Sequence, residues 1–398
     1  MEFINRITQA RAYASIISEL FFGVEGDFDL GILYVCPGGA YDPLELCQAL
    51  RGRGRIRHLM CCTCAGVIGS EREIEGVPSA SLMLMRLPQV KIAPFFLSQF
   101  VLETLKRKED WYNFLDVYPN EKPSFLAFAD PFAFDINSFL AGLNSAYQGM
   151  PIVGGLASAV SGPGGNILII EGRVYREGLI GVGLTGNVRV ETVVSQGCRP
   201  IGQTFIVTRA QRNIIYELAG RPFYKVLEEV LKQGTDYDRQ LAREAVFIGI
   251  AMNEYKQEFK RGDFLIRALV GVEPKSGAGV VGDHMRTGQT VQFQLRDTKT
   301  AHEDLHELLK LYKAKESVTS AQGAFVFSCN GRGVNLFKEP DHDIKIIQQY
   351  LGPLPAAGFF CAGEFGPVGG INFVHGFTNS TALFYPTLSN FGPFPLGP

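Results

Sequence analysis

Ser328-Cys-Asn-Gly-Arg-Gly333 and Gly358-Phe-Phe-Cys-Ala-Gly-Glu-Phe-Gly-Pro-Val-Gly-Gly370 repeat one design near the end of the chain. The first follows Ala324-Phe-Val-Phe-Ser328, a short apolar run with strand character. Each stretch sets a cysteine at a strand end (Cys329, Cys361), then glycines, then one charged residue (Arg332, Glu364). Strand ends of α/β sheets are where ligands bind. Glycines allow backbone N–H groups to converge on an anion, and Arg332 offers a planar fork for a carboxylate or phosphate. Glu364 can accept an ammonium, so the two stretches together suit the ends of a zwitterion such as an amino acid. The alternative is an Arg332–Glu364 ion pair that staples two loops.

The rest of the chain alternates strands and helices. Apolar spacing predicts a helix over 4–20. The strand Gly31–Cys36, a helix at Pro43–Leu50 capped by Asp42, and the strand His58–Cys62 make a βαβ-like start. Further strands are expected at Ser79–Met85, Phe125–Ala129, Ile167–Ile170 and Leu179–Leu184, with helices at Phe95–Lys108 and Phe134–Tyr147. The second half predicts strands at Thr204–Thr208, Ala245–Ala251, Leu265–Val270, Thr290–Arg296 and Ala324–Ser328. Its helices are expected at Phe223–Lys232, Thr300–Lys315 and Asp343–Leu351, with Thr298 and Glu303 at the start of the long one. The fold class is α/β, with α+β as the alternative. Two consecutive domains, each a β-sheet covered by helices, follow an N-terminal helix (1–24). They span 25–190 and 191–385, and a Pro/Gly-rich tail without regular structure follows (386–398).

Composition narrows the function. Over 398 residues the net charge is −2, with 46% hydrophobic and 20% charged residues. This is a globular balance with enough apolar matter for full cores. Thirty Phe against one Trp predict Phe-packed cores. A near-neutral charge argues against nucleic-acid binding, and no apolar run approaches the roughly 18 residues of a membrane span. The N-terminus reads as no signal peptide, and eight cysteines are too sparse for a disulfide scaffold. A cytoplasmic location with reduced thiols is expected.

Other motif-like patterns are weaker. Gly181/Gly183/Gly186 and Gly277/Gly279/Gly282 match G-x-G-x-x-G, but both run into strands where a dinucleotide site needs a helix. Cys61-Cys62-Thr63-Cys64 contains C-x-x-C without a second pair for zinc, and buried packing is the better reading. His302 and His306 stand four apart on a charged helix that reads as a solvated face. No nucleophile elbow, H-E-x-x-H or P-loop is present. No metal and no cofactor are expected.

Ser328–Gly333, Pro355–Gly370 and His375-Gly-Phe-Thr378 together resemble the C-terminal half of FIST proteins. Cys62–Gly69 with Glu71-Arg-Glu73, Ala129-Asp-Pro-Phe132 and Pro151–Ser158 resemble the N-terminal half. The similarity spans roughly residues 25–385. It implies a sensory module that binds small ligands such as amino acids, found in bacterial signalling proteins and eukaryotic F-box proteins. It implies no catalytic residues. Cys61 and Cys64 depart from the family's first motif. No kinase, cyclase, receptor or F-box segment is attached, so a stand-alone sensor is expected that signals through a partner protein. The candidate ligand-binding residues are Asn330, Gly331, Arg332, Gly333, Cys361, Gly363, Glu364, Gly369, Gly370 and His375. Two alternatives stand beside this: a docking module without a ligand, and an enzyme in which Cys329 or Cys361 is the nucleophile and His375 its base.

Overall fold

The computed structural model describes residues 1–39, 42–315 and 320–387. The expected tail therefore lies, from residue 388 onward, outside the described residues. The fold is mixed α/β, with sheets covered by helices. Two compact units form. Of the described residues, the first comprises those of Met1–Val194 and Leu308–Val374 and residues 379–387; the second comprises Ser195–Glu307 with His375–Thr378.

Three six-stranded sheets build the first unit. In one, the strands run in the order Glu2–Thr8, Ser79–Arg86, Phe28–Cys36, Ile56–Thr63, Leu168–Ile170, Arg173–Tyr175. Phe28–Cys36 and Ile56–Thr63 are parallel, joined by the helix Pro43–Arg53, whose cap Asp42 accepts from the amides of Leu44 and Glu45. Alternation along these strands divides their side chains between two cores. Leu33, Val35, Leu59 and Cys61 face helix residues Ile16, Leu20, Leu46 and Leu50. Leu30, Ile32, Tyr34, Met60 and Cys62 face the other way, against Phe128, Phe327 and Phe359. The rings of Tyr34, Phe128, Phe327 and Phe359 meet within 6.3 Å of one another where they pair. The Phe-packed core is thus observed.

The second sheet runs Ile371–His375, Glu364–Val368, Ile152–Leu156, Ser124–Ala129, Leu179–Gly186, Val90–Leu97. The third runs Arg189–Gln196, Thr378–Tyr385, Gly323–Cys329, Ala356–Cys361, Gly66–Ile68, Glu73–Glu75. In the second unit a seven-stranded sheet packs Ile201, Phe205 and Phe293 against Phe223, Val226 and Val230 of the helix Phe223–Gln233.

Several expectations are corrected. Residues 4–20 are not one helix: Glu2–Thr8 is a strand and only Tyr13–Leu20 is helical. Ile4 and Ile7 stand at helical spacing, yet in the strand they point to opposite faces and pack on two different cores, and pairing along its whole length with Ser79–Arg86 secures the strand. Phe95 and Phe96 lie in the strand Val90–Leu97. The helical residues behind them split into Gln99–Leu102, capped by Ser98, and Lys108–Leu115. Pro94 is tolerated in that strand because the strand ends its sheet. The long helix Thr298–Lys315 is opened not by Glu303 but by Asp297, which accepts from the Lys299 amide and the Thr300 hydroxyl. Its charged stretch is not wholly solvated either: Asp304 is buried and accepts from the Ser195 hydroxyl and the Gln196 amide.

Candidate functional site

The two cysteine-ended strands lie side by side. Gly323–Cys329 and Ala356–Cys361 are parallel, with Cys329 opposite Cys361. Gly358 makes this approach possible, since a Cβ there would stand 1.8 Å from the Val326 carbonyl oxygen. Past the strand ends, the Asn330 amide donates to the Cys361 carbonyl at 2.9 Å, and the Gly331 amide to the Cys329 thiol at 3.4 Å. The stretch Gly358–Gly370 is not a glycine loop. It is two strands, Ala356–Cys361 and Glu364–Val368, in different sheets, with a tight turn at Ala362 and Gly363. Buried Glu364 pairs along the backbone with Gly155. Gly369 and Gly370, both at positive φ, turn the chain into Ile371–His375, whose last residue counts with the second unit. Burial, and next the Glu364 charge, push the Cys361 thiol well up, which is the opposite of what a nucleophile needs.

Arg332 is only 1% exposed. Its fork is committed to Asp343, with Nε donating to Oδ2 at 2.8 Å and Nη2 to Oδ1 at 2.9 Å. Asp343 also accepts from the Ser328 hydroxyl at 3.1 Å and the Asn379 amide nitrogen at 3.0 Å. His342 Nδ1 lies 2.9 Å from its other oxygen, and that ring stacks on Phe337 at 3.3 Å between centroids. Burial alone would raise the Asp343 pKa, but Arg332 and His342 hold it well below the usual carboxylate range. The fork expected to take a ligand's carboxylate thus holds a carboxylate of its own chain.

This network is continued by acids from the strand Glu73–Glu75. Glu73 accepts from the Ile344 amide at 3.0 Å, and its own amide donates to Asp341. Burial, then the nearby Asp343 charge, raise the Glu73 carboxyl well above its ordinary range. Its Oε2 is buried without a hydrogen-bond partner among the described residues. Glu75 accepts from the Val334 amide at 2.9 Å, and a Cβ on Gly333 would stand 2.3 Å from that carboxylate.

One wall of an open groove begins where the network ends. The cavity, about 1090 Å³, lies in the first unit between the strand residues Phe3–Ile7, the turn Ser70–Arg72, the helix residues Ile344, Lys345 and Gln348, and Pro353–Pro355. Gln348 ties this wall together, donating to the carbonyls of Ser70 and Leu354 and accepting from the Leu354 amide. Its lining is apolar with three cations, Arg6, Arg72 and Lys345, and one acid, Glu71. Lys345 is paired with Asp341 at 3.5 Å. Arg6 donates to the Phe22 and Asn5 carbonyls. Among the described residues no carboxylate lies within ion-pair distance of Arg6 or Arg72.

The family model for the FIST N domain matches residues 29–221, and the model for the FIST C domain matches residues 224–367. The chain belongs to the FIST family. A protein of Mycobacterium tuberculosis strain H37Rv, described only as uncharacterised, is 37% identical over 86% of this chain and 87% of its own length. Another from Mycobacterium bovis, described in the same way, is 40% identical over 65% of this chain and 67% of its own. FIST domains are sensory domains, and a signalling role is consistent with that membership. No helix among the described residues is long and apolar enough to cross a membrane.

In this FIST protein the two matched regions share one sheet. Gly66–Ile68 and Glu73–Glu75 of the N-domain match extend the sheet of Gly323–Cys329 and Ala356–Cys361 from the C-domain match, with Ile68 opposite Gly358. That pairing brings Glu73 and Glu75 to Asp341, Val334 and Ile344. The sequence reading missed Glu73, Asp343, Arg6 and Arg72 as site residues. Only Glu71-Arg-Glu73 carried a signal, as part of a quoted motif without a role. Elsewhere, Cys61, Cys62 and Cys64 are fully buried, and burial raises the Cys62 and Cys64 thiols. His58 turns to Glu171 at 3.2 Å. The rings of His302 and His306 lie 4.5 Å apart, and no group of three metal-ligating side chains occurs among the described residues.

Proposed function

We propose that this FIST protein is a sensor whose input is a small carboxylate-bearing ligand taken into the groove and whose output is a partner protein. The observation that carries this reading is the groove itself: an apolar trough of small-molecule size with Arg6 and Arg72 uncompensated at its rim. An apolar body buries against Phe3, Ile7, Ile344 and Leu354, while a carboxylate meets the guanidinium groups in charge-assisted contact. Arg332, expected to be the anchor, becomes a positioning residue. It fixes Asp343 at the first turn of the helix His342–Leu351, and that helix presents Ile344, Lys345 and Gln348 to the groove. A ligand that draws on this wall moves it against the network, to the extent that it binds the two arrangements unequally.

A thermal-shift screen against amino acids and small mono- and dicarboxylates tests the reading. A ligand at about 100 times its Kd stabilises by roughly 2.7 kcal/mol, several degrees for a protein of this size. The expected result is a shift with wild type that Arg72→Ala cuts to roughly half, as a tenfold loss of affinity requires. A shift that Arg72→Ala leaves intact removes the groove from the proposal.

A further inference from the structure

We infer that the ligand of this groove is an extended acidic peptide that adds as a strand to the edge of Glu2–Thr8; the inference rests on the groove reading above. The first observation concerns periodicity. Successive side chains of a strand point to opposite faces, so one face of a strand lines a groove with every second residue. Here Phe3, Ile4, Asn5, Arg6 and Ile7 all line it. Five consecutive residues can do so only if the groove runs along the strand's edge, where the backbone itself is the wall. Glu2–Thr8 is indeed the end strand of its sheet, paired with Ser79–Arg86 on one side and, among the described residues, with no strand on the other.

An open edge of this kind presents backbone donors and acceptors to whatever enters. The Asn5 carbonyl accepts from its neighbour Arg6's guanidinium at 2.9 Å, an acceptor that the N–H of an added strand takes over while Arg6 turns to the peptide's carboxylate. Across the groove Pro353 and Pro355 bring no backbone N–H, so strand pairing belongs to the Glu2–Thr8 side.

Size and charge select the occupant. The five lining residues run roughly 17 Å at about 3.3 Å per residue, the length of a five- or six-residue extended peptide. The cavity of about 1090 Å³ lies at the top of the range for small-molecule sites, and a free amino acid leaves most of it empty. Three cations against one acid at the lining favour carboxylate side chains on the edge-bound strand. The apolar wall of Ile344, Leu354 and Pro355 suits the residues between them.

The test is fluorescence anisotropy with labelled hexapeptides that alternate glutamate with an apolar residue, using the full chain. Three competitors accompany them: the same peptides with alternate amides N-methylated, a lysine-for-glutamate series, and octanedioate as a carboxylate without a peptide backbone. The expected result is saturable binding of acidic peptides. N-methylation and lysine replacement should each weaken it at least tenfold, and Arg72→Ala about tenfold. Equal binding of N-methylated peptide, or octanedioate competing as well as peptide, overturns strand addition while leaving the groove a carboxylate site. If no acidic peptide binds but octanedioate does in an Arg72-dependent manner, the peptide inference alone falls. If neither binds, the groove reading falls and takes the inference with it.

Discussion

Arg332 bonds the helix His342–Leu351, Arg72 lines the groove which that helix helps to wall, and the two do opposite work. Arg332 is buried, with its fork on Asp343, and Asp343 in turn holds Ser328, His342 and Asn379. Arg72 is exposed at a groove rim with no carboxylate within ion-pair distance among the described residues. An arginine that follows a strand and glycines looks like a ligand anchor in the sequence; burial decides whether it is one. A closed, hydrogen-bonded charge pair specifies structure and has little left for a ligand. An open charge contributes little to stability and remains available.

The largest effect belongs to the closed region. Asp343→Ala leaves Arg332 buried without its carboxylate, and breaking a buried pair costs about 3–5 kcal/mol. Urea unfolding should show that loss, and the double variant Arg332→Met with Asp343→Leu should recover only part of it, because apolar replacement of the pair is near neutral but leaves Ser328 and Asn379 without their acceptor. A loss below about 1 kcal/mol for Asp343→Ala would mean that the network is not closed.

Gly333→Ala comes next. Gly333 has φ +61° and ψ −147°, a conformation that costs a side-chain-bearing residue about 1–3 kcal/mol. A Cβ there also meets the Glu75 carboxylate at 2.3 Å. Combining it with Glu75→Ala should relieve the clash but not the backbone strain, so a double-mutant cycle should recover only part of the loss. Full recovery would show that φ costs nothing here.

Glu73→Gln is smaller and depends on pH. The folded protein holds the Glu73 proton more tightly than the unfolded chain does, so wild type loses stability from this group as pH rises above about 4.3. Asp343 runs the other way. Its contribution is present above about pH 3.9 and is lost as pH falls through its depressed folded value. Gln keeps the acceptor for the Ile344 amide and cannot ionise. Urea midpoints should therefore show Glu73→Gln gaining on wild type from pH 5 to pH 8, with little difference near pH 4. A gain that does not vary with pH would show that Glu73 titrates alike in both states.

The sequence made much of the fold legible, and the reasons it failed elsewhere are local. Asp42-Pro43 and Asp135 punctuate helices through side-chain caps, so those helices could be placed. Buried parallel strands such as Phe28–Cys36 announce themselves by apolar runs. Glu2–Thr8 was hidden because Ile4 and Ile7 stand at helical spacing while the strand buries both of its faces, and only its partner Ser79–Arg86 reveals it. The juxtaposition of Cys329 with Cys361 was readable from two like-built strand ends. The partner of Arg332 was not, since Asp343 lies at a helix start that carries no local mark of burial. Glu73 reaches the network only because Gly66–Ile68 joins a sheet built from residues nearly 300 positions away, and no local pattern encodes such a pairing. The groove depends on three distant segments and was invisible for the same reason.

The smallest expected effect on stability is the one that tests the comparison from its open side. Arg72→Ala removes an exposed side chain without a carboxylate partner among the described residues, so urea unfolding should change by no more than about 0.5 kcal/mol. Ligand affinity should fall about tenfold or more with loss of a charge-assisted contact. The two readouts must part company. If Arg72→Ala destabilises the fold as Asp343→Ala does, Arg72 is a second structural arginine and the groove has no anchor. If stability and affinity are both unchanged, Arg72 is merely solvated. Only unchanged stability with weakened binding separates an arginine kept for the fold from one kept for a ligand, and the same pair of measurements on Arg6 then shows whether the rim acts as one anion site or through a single guanidinium.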